Sequence, residues 1–547
     1  MGIGKTEWSW QKAGQVVLPA GENTISLHDL TGFCGRCQAV FLTADETLVP
    51  PDDESGNHEF RSRYFDCRIQ DDSEEYDLIV AGGGYAGVCT AFAAAKTGSK
   101  VLIMNDRGVL GGCNSSEIRV ALGGGCCNPP FPNLGRVVDL FAPICGGPVT
   151  YPAEFYEDFR KTHIFHSTIP ASACRLLLYE RVVKVEMADE RKIAAVISRN
   201  VCTGVLTRHR AELFSDCTGD GVIAIGAGCT FMYGREARSD FNETLAPEIA
   251  DKMIMGHSVL WYSEEMETEQ VFPEIDWGIP FTEENVIYKN ACVWEWETGM
   301  TRDQIKDIEY IRDYGMMTLL CNWSYIKNHS ERKDEWSKRK LVWASPLGGK
   351  REGIRVYGDY VMTQNDVEDS GISYPDETGC LTWNIDLHLP DPKNVSLFSE
   401  PFISCAYHRG FRKMRPVPYR CLYSKDVDNL FLGGRLLSMT HVAFAVSRVM
   451  RTLGVLGEAA GLAASLCKEY GISPRELGKT HYPELRQRME QGVPYWRPHD
   501  YSPTPSESYH FHDLGFCHTW DQAKMNDPEI ASRVSELHVT HIADEKK

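Results

Sequence analysis

Four things are scarce in this sequence, and each scarcity excludes something. No apolar run approaches the roughly 20 residues of a bilayer-spanning helix, which excludes an integral membrane protein of the helical kind. The opening residues, MGIGKTEWSW, lack the apolar core of a secretory signal, so a cytoplasmic location is expected. Positive charge is in deficit: 57 Lys and Arg against 76 Asp and Glu leave a formal charge of −19. That balance argues against nucleic acid and against anionic membrane surfaces as partners. A disulfide framework is also missing, because the 19 cysteines are odd in number, scattered, and often inside apolar runs. The one C-x-x-C, Cys34 to Cys37, has no second pair at zinc spacing nearby, so it reads as structural thiols and no metal site is expected.

What remains is ordinary for a globular protein. The chain has 547 residues, enough for two to four domains, with 43% hydrophobic and 24% charged residues. Its most informative stretch is EEYDLIVAGGGYAGVCTAFAAAKTGSKVLIMND, which starts at Glu74. Leu78 to Val80 form a short apolar run, as in a buried parallel strand. Gly82, Gly84 and Gly87 then fit G-x-G-x-x-G, an alanine-rich helix follows, and Val101 to Met104 form a second apolar strand. This is a βαβ unit of dinucleotide-binding length. The first glycine permits the tight turn, the second lets a pyrophosphate approach the backbone, and the third lets helix and strand pack closely. The helix N-terminus then offers free N–H groups and partial positive charge to the phosphates. The ribose-binding acid expected at the end of the second strand is replaced by Asn105, followed by Asp106 and Arg107. The turn therefore leaves FAD, NAD and NADP open.

Three further stretches carry glycine. DRGVLGGCNSSEIRVALGGG places Gly111, Gly112, Ser115 and Ser116 directly after the second strand, where small residues let a flat ring lie near the backbone. RAELFSDCTGDGV ends a strand in Asp216, Gly219 and Asp220. VDNLFLGGR ends another in Gly433 and Gly434, before a helix with Gly454, Gly457 and Gly461 at helical spacing. Glycine elements spread from Gly82 to Arg435 exceed what an NAD domain requires and match a cofactor clamped by discontinuous parts of one chain.

On these motifs, together with VYGDYVMTQNDV and SRVMRTLGVLGEAAG, the sequence resembles the FAD-dependent oxidoreductases of the glutathione-reductase-like fold. Within them it is similar to a family often found in bacterial carbohydrate-utilisation gene clusters, with distant similarity to fumarate reductase flavoproteins. The motifs run from about residue 75 to about residue 470 in the family's order. The resemblance implies an α/β, Rossmann-like FAD-binding domain with FAD as cofactor. Gly82, Gly84 and Gly87 would hold the pyrophosphate, and Asn105 and Arg107 would meet the adenosine ribose. Gly111, Gly112, Asn114, Ser115 and Ser116 would line the pyrophosphate and flavin edge. The backbone near Val183 would meet the adenine, while Gly219 and Asp220 close over the adenosine side. Gly434 and Arg435 would hold the ribityl chain, Arg448 would neutralise phosphate or bind an acidic substrate, and the helix after His441 would aim its N-terminus at the flavin. Cys113 lies where such chains near the ring; a covalent flavin link and a redox thiol are conceivable, and a small packing residue is the main reading. The adjacent Cys126 and Cys127 read as reduced.

The domain plan expected is a β-strand segment over residues 1–70 and the first part of the FAD domain with a β-rich insertion over 71–240. A substrate or cap region over 241–400, the second part of the FAD domain over 401–470, and a C-terminal helix and tail over 471–547 complete it. The N-terminal segment is too small for a core of its own and is expected to pack on the FAD domain or on a second subunit, leaving a homo-oligomer open. Aromatic and acidic stretches such as WYSEEMETEQ and VWEWETGM read either as core tryptophan with a solvated face or as a stacking surface for a sugar ring.

Flavin accepts hydride, so a base beside the reacting C–H bond is sought. His441 is the expected base, with His408 as the competing candidate and Tyr419 and Arg409 nearby. The substrate expected is a small sugar or sugar-derived alcohol, with a separate electron acceptor. One alternative is reduction of an activated C=C bond in the manner of fumarate reductase, although that family's acidic turn is replaced here by Gly434-Arg435. Another is a flavin-containing binding or scaffold subunit.

Overall fold

The computed structural model describes residues 9–26, 37, 39–64, 68–143, 154–369, 372–410 and 414–494. Cys34 of the C-x-x-C and the tail beyond residue 494 lie outside the described residues. The chain divides into two units, Met1–Arg68 and Ile69–Lys547.

In the first unit the expected strands do not form among the described residues. Its one regular element there is helix α1 (Glu54–Ser62), capped by Asp53, which accepts a bond from the Gly56 N–H at 2.7 Å. Apolar side chains that a sheet face would bury stand in solvent, Val17 at 94% exposure among them. The partial alternation of this segment supplies no continuous apolar face for a ladder. An aromatic group assembles instead, with Phe41 edge-on to Phe60 at 5.1 Å and to Tyr64 at 5.6 Å.

The second unit is built on a seven-stranded sheet. Strand β1 (Ile69–Ala81) leads through helix α2 (Tyr85–Lys96) to β2 (Val101–Asn105). Helices α3 (Arg136–Phe141) and α4 (Glu154–Thr168) precede β3 (Cys174–Leu178), β4 (Glu180–Met187), β5 (Ile193–Asn200) and β6 (Leu206–Asp216). The order is β3-β2-β1-β6-β5-β4, and a late strand, Leu430–Leu432, pairs with β6. β1, β2, β3, β6 and the late strand run parallel, while β4 to β6 form an antiparallel meander. The β-rich insertion thus joins the main sheet, because β6 sits directly beside β1 with Val80 opposite Ser215. This is the parallel-strand sheet of a Rossmann-like domain.

The long helix Met450–Tyr470 packs along α2 in the same direction. A side chain at Gly457 would overlap the Ala86 carbonyl, one at Gly461 would overlap that of Thr90, and the Thr90 hydroxyl donates to Gly457 O at 3.0 Å. Glycine at these positions lets two backbones approach within side-chain distance. Both helices therefore begin at the edge where β1, β2, β6 and Leu430–Leu432 end. A short helix, His441–Ser447, meets the long one at 92°. The expected single helix after His441 is thus two, and the N-terminus aimed at the sheet edge belongs to Met450, not His441.

Residues 241–400 form two three-stranded sheets and the helix Ile308–Asn328. Their core is Trp261, Trp296, Trp323 and Trp336 with Phe402, and Trp261 lies edge-on to Trp296 at 5.5 Å. These tryptophans are core residues. Their strand neighbours Tyr262 and the nearby Trp294 are half-buried and face outward.

Glu458, fully buried in the long helix, accepts the N–H groups of Gly135 (2.9 Å) and Val137 (3.2 Å) at the start of α3. Burial pushes its carboxyl up to about 8, against the lowering by those two bonds. A raised folded-state pKa means stability is complete below the ordinary carboxylate range and is lost as pH rises through the folded value. The wild-type Tm should therefore fall from mildly acidic pH to about pH 9 relative to Glu458→Gln. Thermal melts of both proteins across that range would show it; parallel curves would mean that Glu458 titrates normally.

Candidate cofactor and active site

The glycine turn after β1 is shaped by contacts that leave no room. Gly82 has φ +108, and a side chain there would overlap the Cys217 carbonyl; one at Gly87 would overlap the carbonyl of Gly82. Gly84 differs: its φ is −70° and nothing lies within 4 Å of where its side chain would stand. It opens onto space at the N-terminus of α2, where the turn's amides converge. Gly112, at φ +60, lies against the Gly84 backbone, so close that a Cβ on Gly112 would stand 3.2 Å from Gly84 Cα. A Cβ on Gly434 would stand 3.6 Å from that of Ala86. The residues present thus form a cradle of backbone with open space at its centre, as a dinucleotide diphosphate requires.

The sequence-predicted cofactor residues divide into three groups around this cradle. Gly82, Gly84, Gly87, Gly111, Gly112 and Gly434 meet in it. Asn114 braces it: the Tyr85 hydroxyl donates to Asn114 Oδ1 at 3.1 Å, the Asn114 amide donates to Val120 O at 2.8 Å, and buried Lys161 donates to the Asn114 carbonyl. Ser115 donates to Gly112 O at 2.7 Å, and the Ser116 N–H is received by Asp158. On the far side, Asp220 pairs with Lys350 (2.8 Å) and Arg435 (3.3 Å) beside Gly219, which has φ +74. Burial pushes the Asp220 carboxyl up, but Lys350 and Arg435 outweigh it and hold it below its usual range.

Several expected roles change. Asn105 receives the Gly83 N–H (3.0 Å) and donates to Arg107 O and Val109 O, so its side chain braces the turn with both amide hydrogens in use. That explains an amide here, since a carboxylate has no hydrogens to give two carbonyls. Arg107 pairs with Glu117 at 3.0 Å. Val183 is the extra residue of a bulge between Val182 and Lys184 on β4, the edge strand, so its backbone stands out of the regular ladder. Tyr419 is fully buried, donates to Pro474 O at 3.1 Å and packs on Tyr423, which makes it a structural residue. Arg409 pairs with Glu368 at 3.0 Å on a half-exposed surface. Arg448 binds Asp386 at 2.7 Å. Cys113 is half-buried, packs with Ile118 and Leu260, and has its thiol 3.9 Å from Lys350 O.

A second centre lies between the substrate region and the start of the long helix. Asp386 and His388 project from the strand Ile385–Pro390, and His408 from its partner Ser404–Arg409. Asp386 is within 3.4 Å of His408 Nδ1, 3.3 Å of His388 Nε2 and 2.7 Å of Arg448. His388 Nδ1 meets Glu297 at 2.8 Å, and Glu297 also receives Ser404 (2.8 Å) and lies 3.2 Å from Arg351. Burial pushes both carboxyls up. Arg448 and the histidines nevertheless hold Asp386 well below the carboxylate range, and Arg351 and His388 hold Glu297 down to about 2. His441, by contrast, is buried at the first position of its helix. Its N–H donates to Glu236 at 2.9 Å and its Nδ1 meets Glu352 at 3.0 Å.

Sequence reading missed Asp386, His388, Glu297 and Glu352. A signal existed in NIDLHLP, because acidic and imidazole side chains in an otherwise apolar, fully buried strand must be paired.

The cradle is that of a dinucleotide-binding protein. The chain belongs to the family described as FAD dependent oxidoreductase, whose model matches residues 77–489, and FAD is its cofactor. No curated protein matches it. Among solved structures it is similar to a geranylgeranyl bacteriochlorophyll reductase-like protein from Thermoplasma acidophilum, at 12% identity over 78% of this chain and 83% of that one (TM-score 0.31). It is also similar to the myxobacterial chondrochloren halogenase CndH, at 14% identity over 85% and 91% (TM-score 0.32). A third is the Mycobacterium smegmatis Sdh1 complex, at 12% over 78% and 77% (TM-score 0.31).

Because Gly84 has an ordinary φ and open space beside it, Gly84→Val should fold normally and lose FAD. Flavin absorbance per chain, set beside circular dichroism, measures this; full flavin occupancy in a folded variant would place the diphosphate elsewhere. Gly87→Ala should instead lose the fold, since its methyl group meets the Gly82 carbonyl.

Proposed function

We propose that this FAD-dependent oxidoreductase takes hydride from a sugar or sugar-derived alcohol, with His408 as the base. The observation that carries the reading is the charged group of His408, Asp386 and His388, which two half-buried tryptophans touch. Trp383 donates to Asp386 at 3.1 Å, and Trp294 stands edge-on to His388 at 5.3 Å. Aromatic faces suit the C–H patches of a sugar, and the charged groups beside them suit its hydroxyls. These are the surroundings expected for a polyhydroxylated substrate of the kind that the resemblance to carbohydrate-associated relatives suggests.

Bound FAD supplies the two-electron acceptor for a substrate C–H bond. The chain's own residues supply the proton chemistry. Asp386, ionised and fixed by Arg448, lies 3.4 Å from His408 Nδ1, which the Asn384 side-chain nitrogen reaches at 3.1 Å, and its negative charge faces the imidazole that would take the hydroxyl proton. The His408 side chain is 28% exposed, whereas that of His441 is 4% exposed and bound to Glu352. This difference in exposure and pairing supports His408 over His441 as the base.

General-base catalysis is worth roughly 10²–10⁴ in rate. His408→Ala should slow anaerobic flavin reduction by a factor in that range with FAD retained. His441→Ala should mainly lower Tm. A panel of sugars and alditols, followed by flavin bleaching in stopped flow, measures the rates. Bleaching by none of them, with reoxidation of reduced protein by an enoate, would favour the C=C reductase reading instead. A rate lost in His441→Ala and kept in His408→Ala would return the base to His441.

A further inference from the structure

Two backbone irregularities, far apart in sequence, converge on one half-buried cluster. Arg119 holds φ +64, a left-handed conformation rare and costly for a residue other than glycine. It is kept there by its N–H to Ser115 O at 2.9 Å and its Nε–H to Ser116 O at 3.3 Å. The guanidinium consequently lies 4.0 Å over the ring of Trp343. Trp343 is itself placed by a bulge: Leu341 pairs with Ser263 and Trp343 with Tyr262, so Val342 is an extra residue. The bulge turns Trp343 to the same face as Tyr262, with ring centroids 6.5 Å apart and planes 34° apart. On the partner strand, Trp261–Glu265, Trp261 is buried in the core and Tyr262 is half-buried on the opposite face.

Strain and bulges concentrate where a side chain must be aimed. Packing alone would not demand either irregularity, since Trp343, Tyr262 and Arg119 all remain half-buried. The cluster is close to the cofactor cradle. Its base packs on Cys113, Ile118 and Leu260, and Cys113 adjoins Gly112, which lies against Gly84. We infer that Arg119, Trp343 and Tyr262 form a stacking platform that seats the ring of a pyranose-type substrate beside the flavin site. Tyr262 and the part of the Trp343 ring that the guanidinium leaves uncovered offer apolar faces to the C–H side of the sugar, and the guanidinium stacked on Trp343 holds that ring in place. This specificity role rests on the sugar reading above.

The test uses the FAD-loaded protein and saturation-transfer NMR with methyl pyranosides and open-chain alditols as probes. Transfer to the ring C–H protons of at least one pyranoside is expected. Trp343→Ala should weaken that ligand at least about tenfold, a difference of 1.4 kcal/mol, with flavin content unchanged. Trp277→Ala, on an exposed part of the substrate region, should bind as wild type. Arg119→Gly should also weaken binding while keeping Tm, because glycine adopts the φ that arginine strains to hold. Pyranoside binding unchanged in Trp343→Ala, or binding of alditols alone, would overturn the platform and leave the sugar reading standing. Binding of no probe by the wild type would overturn both.

Discussion

The structure depends on one close approach, that of backbone to backbone where α2, the turn before it and the long helix meet. Gly82 and Gly87 press the turn against itself and against the Cys217 carbonyl, and Gly457 and Gly461 bring the long helix onto α2. These contacts fix two helix N-termini side by side at the carboxyl edge of a parallel sheet. Unpaired amides and partial positive charge then gather in one place. Gly84, alone in this group, has open space where its side chain would stand.

Residues 241–400 are tied to the FAD-binding parts of the chain by charge along the segment Lys350 to Arg355: Lys350 reaches Asp220, Glu352 reaches His441 and Arg355 reaches Glu236, while Arg351 reaches Glu297 within the region itself. All four pairs are largely buried. Buried ion pairs add little net stability over apolar packing, but losing one partner strands the other. Such a seam fixes register. It sets Asp386, His388 and His408 against Arg448 at the start of the long helix with little freedom to slide. Among its described residues the first unit is organised by aromatic contacts among Trp10, Phe41, Phe60 and Tyr64.

The same physics explains the expectations that changed. Asn105 stands where a ribose-binding acid was sought, yet its two amide hydrogens hold two carbonyls of its own chain. Tyr419 and His441 looked reactive by residue type and by nearness in sequence to the LGGR turn. Tyr419 is wholly enclosed, and His441 is nearly so, held by Glu236 and Glu352. Arg448 was grouped with the diphosphate because it is cationic, but its nearest anion is Asp386. Residue type indicated what each side chain could do; burial and partner decided what it does.

By itself the sequence determined the βαβ unit, the glycines at each strand end, and the cofactor class, because these rest on local rules: which residue tolerates a left-handed φ, which spacing makes a strand or a helix, and how a glycine row lets helices approach. Only the tertiary structure decided the charged centre, the stacked Arg119–Trp343–Tyr262 cluster and the absence of strands in the described N-terminal residues. Asp386 and Arg448 are 62 residues apart, and Arg119 and Trp343 further still. No local propensity encodes such pairs. They exist because buried charges must find partners and because one bulge and one strained residue turn two side chains onto the same face.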